Sequence, residues 1–336
     1  MLQLNPIFTS HGVFAAHKPI RIYGEGHGTA EILFAGQART VTADGAWEIE
    51  FPPMEYGGPY DLLLRQAEET LRLEDLYVGR VYLMAGQSNV QFKLRASSYP
   101  ADESRGNPMV RLFTAPRLEA GEPYTPDDGW VICTEENARS WSALAYHVGQ
   151  IQGEDGVAVG LIACYQGASV IESWIPEGAL EPLGITLSPE DKGGAHTYPP
   201  YQAWNRDGVL YREALSAILP YPLSAVVWYQ GESDTVLKES LEYKTELKAL
   251  IRIWRDSFRD ETLPFVVVQI ADCISRAGEA WSNVQKAQWE IQFEVPAVKT
   301  VVSADVCEND DIHPPTKIHL AHRIVGALRE LDPENP

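Results

Sequence analysis

The feature that most limits what this chain can fold into is a change of texture near residue 78. Before it, from Ile20 to about Leu73, short alternating runs such as Ile20-Arg21-Ile22-Tyr23 and Trp47-Glu48-Ile49-Glu50-Phe51 are separated by turn signals, among them Asp44-Gly45 and Gly57-Gly58-Pro59. A period of two sends successive side chains to opposite faces, so this part reads as a small all-β module. After it, short apolar runs at 81–85, 157–164, 225–229, 265–270 and 298–303 are rich in β-branched and aromatic residues and are spaced for intervening helices. Apolar strands that alternate with helical patterns build a mostly parallel sheet covered by helices. The expected organisation is an all-β unit over residues 1–77 and a larger α/β unit over residues 78–336, and 336 residues suffice for both.

Two helices are well marked. Over 237–258, Leu237, Leu241, Leu247, Leu250, Ile251, Trp254 and Phe258 recur at three- and four-residue steps and form one apolar stripe for the sheet. Over 315–331, Pro315 sits in the first turn, where its missing N–H costs nothing, and Ile318, Ala321, Val325 and Leu328 face inward. Cys133, Cys164, Cys273 and Cys307 are scattered, with no C-x-x-C pair and no histidine at ligand spacing, which reads as buried free thiols. A formal net charge of −20 disfavours nucleic acid and anionic membrane surfaces as partners, since both would repel the protein. No apolar run approaches the ~20 residues that span a bilayer. The opening Met1-Leu2-Gln3-Leu4-Asn5-Pro6 lacks a basic start and a continuous apolar core, so a cytoplasmic location is expected.

The chemistry concentrates at strand ends. The run 81–85 leads into Gly86-Gln87-Ser88-Asn89, which puts a serine at the carboxyl end of a parallel strand, where open α/β sheets hold their ligands. Taken alone, the tetrapeptide reads equally well as a polar turn. Two more glycine-bearing strand ends follow, Tyr165-Gln166-Gly167-Ala168-Ser169 and Trp228-Tyr229-Gln230-Gly231-Glu232-Ser233-Asp234, so three ends converge on one crevice. An acyl-transfer site needs donors aimed at the developing oxyanion, and Gly167 lets a backbone N–H approach closely. Finally, Asn309-Asp310-Asp311-Ile312-His313-Pro314-Pro315 places a histidine just past the last strand, with carboxylates two and three residues earlier. A general-base histidine needs a carboxylate on Nδ1 to fix its tautomer and stabilise the imidazolium. Asp310 is the first choice for that role, while Asp310 and Asp311 both also suit the capping of the final helix.

Together the stretches Gly86-Gln87-Ser88-Asn89, Trp228-Tyr229-Gln230-Gly231-Glu232-Ser233 and Asp311-Ile312-His313-Pro314 resemble the sialate O-acetylesterases of the SGNH (GDSL-like) hydrolase superfamily. The similarity extends to the Gly57-Gly58-Pro59-Tyr60 turn, the helix 281–288 and Lys317. The resemblance implies a three-layer α/β/α hydrolase domain over 78–336, an accessory N-terminal β-sandwich over 1–77, hydrolysis of acetyl esters on sugars, and no metal or other cofactor. It implies Ser88 as nucleophile, His313 as general base, and the N–H groups of Ser88 and Gly167 as oxyanion donors. The superfamily's third donor is an asparagine side chain; this block has none, which leaves Gln230 in its place. Related sugar esterases pair the block's glutamate with the histidine, so Glu232 competes with Asp310. The chain departs from the family at Val90, usually methionine, and at Asp234, usually asparagine.

The expected substrate is an O-acetylated sugar, above all an acetylated sialic acid. Gln87 and Asn89, beside the nucleophile, are expected to contact it. The stretch 171–208 is long, rich in Gly, Pro and aromatics, and follows a catalytic strand end, which suits a sugar-binding wall. There Trp174, His196, Tyr198 and Trp204 either stack on a sugar or pack among themselves. A sialic acid is anionic and needs a local positive group, for which Arg206 is the candidate, unless it is an ordinary salt-bridging residue. One rival reading is an acetylesterase of xylan or another plant polysaccharide. Another is a non-catalytic carbohydrate-binding protein, against which the retention of Ser88, His313 and acidic partners counts.

Overall fold

The computed structural model describes residues 1–119, 122–126, 128–185 and 197–332. Six strands open the chain: β1 (Leu2–Leu4), β2 (Val13–Ala15), β3 (Ile20–Phe34), β4 (Gln37–Phe51), β5 (Gly57–Gln66) and β6 (Glu69–Gly86). β3 and β4 form a long antiparallel hairpin, paired from Ile20↔Phe51 to Phe34↔Gln37. Its two-residue turn is Ala35-Gly36, with φ of 48° and 77°, the pair of positive angles that matches strand twist. Asp44-Gly45 is therefore not a turn. It lies inside β4, opposite His27 and Gly26.

β6 organises the rest. Its first part pairs antiparallel with β5 and parallel with β2, and its second part pairs parallel with two strands of the larger sheet, so the expected boundary at 77/78 falls within a single strand. Eight strands follow: β7 (Asn107–Thr114), β8 (Arg117–Glu119), β9 (Glu122–Tyr124), β10 (Trp130–Cys133), β11 (Val159–Tyr165), β12 (Ala225–Tyr229), β13 (Phe265–Val268) and β14 (Val298–Val301). The parallel order is β7-β11-β6-β12-β13-β14, and β10 closes the β7 edge antiparallel. β11, β12 and β13 are buried along their whole length, as continuous apolar runs predict for a sheet covered on both faces. β7 and β10 were not anticipated. Pro108 and Arg111 break the apolar run in β7, and only the first and last residues of β10 are buried.

The helices are α1 (Ser88–Gln91), α2 (Glu135–Ala138), α3 (Ala143–Gln152), α4 (Val209–Glu213), α5 (Leu237–Phe258), α6 (Glu279–Glu294) and α7 (Ile318–Leu331). α3 packs on α7, and α5 on α6. Leu247, Leu250, Ile251, Trp254 and Phe258 bury the α5 stripe, whereas Leu237 and Leu241 are 51% and 66% exposed. The first turns of α5 bury Glu239, Ser240 and Tyr243 instead, which corrects the extent of the predicted stripe. α7 begins at Ile318, later than Pro315, because 313–317 are held in another way: the Glu308 carboxylate accepts from the backbone N–H (3.2 Å) and hydroxyl of Thr316.

The two parts of the chain share one core. Tyr221 donates its hydroxyl to the Val13 carbonyl (2.7 Å), and the Trp130 indole donates to the Ile7 carbonyl (2.9 Å). The four cysteines are free thiols, three buried and Cys307 half-buried. Among the described residues, no helix is long and apolar enough to cross a membrane.

Candidate active site

β6 ends at Gly86 with φ of 140°, and a Cβ there would lie 2.0 Å from the Tyr229 carbonyl oxygen. Only glycine lets the chain leave the sheet so close to β12. The next residues turn into α1, whose first residue is Ser88, and the Ser88 hydroxyl lies 2.8 Å from His313 Nε2. A neutral ring with its proton on Nδ1 accepts that hydroxyl proton. Both residues face a cleft of about 620 Å³ at the carboxyl end of the sheet, together with Gln87, Gln91, Gly167 and Trp204. A second cleft of about 670 Å³, which includes His11, Lys93 and Trp130 in its lining, contains neither Ser88 nor His313.

Of the three acids considered for His313, Asp311 is the one in contact with that residue. Its carboxylate accepts the His313 backbone N–H at 2.8 Å, and its charge favours the imidazolium. Asp310, the first choice from sequence, is exposed and forms no hydrogen bond with the ring. The residue two before the histidine is the one whose side chain folds back on the backbone, as short Asx turns do. Burial outweighs Asp311, with Lys317 adding to it, and holds the His313 pKa below the ordinary value. A base active when neutral therefore works further into acid. We expect kcat/KM on 4-nitrophenyl acetate to rise with pH to a plateau, with its midpoint below the ~6.5 of an unperturbed histidine. A midpoint well above that value contradicts the placement.

Glu232, the other acid, forms no hydrogen bond with the ring. It is buried, accepts from the Asn89 amide, and is raised in pKa by burial. Asn89 also donates to the Ile312 carbonyl (3.0 Å) and accepts from Lys317 Nζ (2.7 Å). It is thus turned away from the cleft, which corrects its expected role as a substrate contact. Asn89 joins the turn that carries Ser88 to the residue immediately before His313. Lys317 is 1% exposed, lies over the Phe92 and Tyr229 rings, and is pushed down by burial to a pKa of about 8.

On the other side of Ser88, a Cβ built on Gly167 would come within 3.9 Å of the serine Cβ. The Gly167 N–H donates to Gln91 Oε1 at 2.9 Å. The loop is braced from behind: Trp204 Nε1 donates to the Gly167 carbonyl (3.1 Å) and Asn205 to the Ala168 carbonyl (2.7 Å), while Ala168 holds a φ of 53°. As the first residue of α1, Ser88 has an N–H without an intrahelical acceptor. Gln230, expected as the third oxyanion donor, is fully buried and committed elsewhere: its Nε2 donates to the Ser169 carbonyl (2.9 Å) and to Asp234, and Tyr243 donates to its Oε1 (3.1 Å). A side chain anchored at three points behind the sheet edge has no amide proton left for the cleft. Further back, the buried Glu172, Asp234 and Glu246 bring carboxylate oxygens within 4.8 Å of one another.

The expected sugar contacts divide. Trp204 and Tyr198 line the cleft, and Gln87 does so while one end of its amide lies 3.3 and 3.4 Å from the Gly231 and Ser233 N–H groups. Trp174 is instead fully buried between Trp228 and Trp254. Arg206 is exposed outside the cleft and donates to the Ala203 carbonyl (3.2 Å). His196 lies outside the described residues. Sequence reasoning missed three residues: Gln91, Lys317 as the partner of Asn89, and Arg276, which lines the cleft. Arg276 follows the strand run 265–270, and its place past a strand end is the signal in the sequence that marks it.

A mixed α/β sheet whose carboxyl edge holds a serine against a histidine, with backbone N–H groups beside them, has the geometry of a serine hydrolase. Residues 78–329 match the family described as carbohydrate esterase, sialic acid-specific acetylesterase, and the chain belongs to that family. Sialate O-acetylesterase of Homo sapiens is 26% identical over 320 residues, covering 85% of this chain and 60% of that protein. Sialate O-acetylesterase of Rattus norvegicus is 25% identical over 339 residues, covering 83% of this chain and 62% of the relative. The chain thus spans about 60% of the length of these curated relatives. The crystal structure of a carbohydrate acetylesterase from Xanthomonas citri superposes with a TM-score of 0.85 at 26% identity, covering 98% of this chain and 75% of that one.

Proposed function

We propose that this chain hydrolyses acetyl esters on sugars, with an O-acetylated sialic acid as its substrate, and that its α/β part has the three-layer arrangement of SGNH hydrolases beside an accessory N-terminal β unit. The observation that carries the proposal is the 2.8 Å contact between Ser88 Oγ and His313 Nε2 in a cleft beside the Gly167 N–H. In the first step Ser88 Oγ attacks the acetyl carbonyl carbon while His313 Nε2 takes its proton. The carbonyl oxygen gains charge on the N–H groups of Ser88 and Gly167, displacing Gln91 Oε1 from the latter. His313 then returns the proton to the departing sugar oxygen. Water attacks the acetyl-serine, its proton passing to His313, and acetate leaves as the proton goes back to Ser88. Asp311 supports the imidazolium through its charge, and Trp204 and Tyr198 offer aromatic surface to the sugar.

The test is acetate release from 9-O-acetyl-N-acetylneuraminic acid and from acetylxylan at matched acetyl concentration. The proposal expects the sialate to be the better substrate by kcat/KM. A strong preference for xylan overturns the sialate assignment and leaves the esterase, and release from neither, with Ser88 inert to serine-directed reagents, favours a binding protein.

A further inference from the structure

We infer that Arg276 is the residue that selects an acidic acetylated sugar over a neutral one, by receiving the sugar's carboxylate; the inference rests on the acetylesterase reading above. Arg276 is the only lysine or arginine among the described residues that line the cleft holding Ser88 and His313. It is exposed and forms no ion pair among the described residues, so its guanidinium keeps its donors for a ligand. The acidic residue lining the same cleft, Glu232, is buried and turned to Asn89, and so does not take up the guanidinium.

The placement of Arg276 is fixed by backbone. Its turn (Ile274–Arg276) follows β13, and the Ile274 N–H donates to the Asn309 carbonyl (2.8 Å), which clips it to the segment that carries His313. The aromatic lining is tied instead to the oxyanion loop, through the Trp204 indole on the Gly167 carbonyl. A sugar in the cleft thus has aromatic surface on the Gly167 side and a cation on the His313 side, which suits a pyranose with an apolar face and one carboxylate. A planar guanidinium binds a carboxylate by two parallel charge-assisted hydrogen bonds, and the hydroxyls of a neutral sugar bring no charge to match it. In a chain of net charge −20, a local cation is also what an anionic substrate requires to approach.

The experiment compares acetate release from 9-O-acetyl-N-acetylneuraminic acid and from its carboxyl methyl ester, which keeps the sugar and the acetyl group but loses the charge. Because the readout is the ratio of kcat/KM within one protein, a loss of folded enzyme cancels. The wild type is expected to favour the acid by roughly tenfold or more, mostly through KM, the size of a charge-assisted contact. Arg276→Gln is expected to bring the ratio close to one, Arg276→Glu to invert it, and Arg206→Gln, outside the cleft, to keep the wild-type ratio. A ratio near one in the wild type, or a ratio unchanged in Arg276→Gln, overturns the role of Arg276. Failure of the underlying reading looks different: neither form of the sugar then releases acetate, and the role of Arg276 falls with it.

Discussion

Ser88→Ala is expected to lower kcat for acetate release by ~10⁴-fold or more while leaving the melting temperature nearly unchanged. The hydroxyl is half-buried, and its hydrogen bond in the structure is to His313, so the alanine removes a nucleophile and little packing. His313→Ala is expected to cost about as much, and the double variant no more than either single one, because the two groups act as a unit. A variant of Gly167 or Gln91 acts on one donor position and is expected to fall short of that loss. Gln230 belongs to neither class. Its amide is spent on Ser169 and Asp234, so its replacement acts on stability first.

The second large effect is expected at Asn89. Asn89→Leu keeps the number and branching of the side-chain heavy atoms but removes at once the bonds to Glu232, the Ile312 carbonyl and Lys317. Two ionisable side chains, 4% and 1% exposed, then lose their shared partner in a buried site. Stripping one member from such a network costs ~3–5 kcal/mol, and the chain ahead of His313 loses its tie to the nucleophile turn. The expected result is a melting transition lowered by several degrees, together with kcat reduced at least tenfold in whatever protein remains folded. Melting followed by circular dichroism and active-site titration separates the two effects. A variant with unchanged melting and kcat shows that the network does not position the histidine.

Where the sequence was informative, physics made it so. Strands buried on both faces must be apolar throughout, so β12 was legible to its ends, and α5 was legible because one face of a long helix meets the core. β7 and β10 were not: Pro108 and Arg111 interrupt the apolar run of β7, and β10, the edge strand beyond it, buries only its first and last residues. Asp44-Gly45 misled because a dipeptide that suits a turn also fits inside a long twisted hairpin. In the site, strand ends pointed to Ser88 and His313, which the fold brings within 2.8 Å of each other, but the other partners of each could not be read. Whether Asp310 or Asp311 turns back on His313, whether Asn89 faces the cleft or Lys317, and whether Arg206 or Arg276 reaches the cleft depend on rotations of a few residues that neighbours decide. Trp174 shows the same limit, since an aromatic in a long loop suits a sugar wall and a core equally until Trp228 and Trp254 are seen around it.

The central claim is that Ser88, activated by His313, carries the acetyl group. The most direct measurement is peptide mass spectrometry after treatment with a serine-directed phosphonate, with acetate release from 9-O-acetyl-N-acetylneuraminic acid followed in parallel. The account predicts a single adduct on the peptide containing Ser88, formed in step with the loss of activity and slowed by His313→Ala. Full acetate release from protein already modified at Ser88, or from Ser88→Ala, contradicts it.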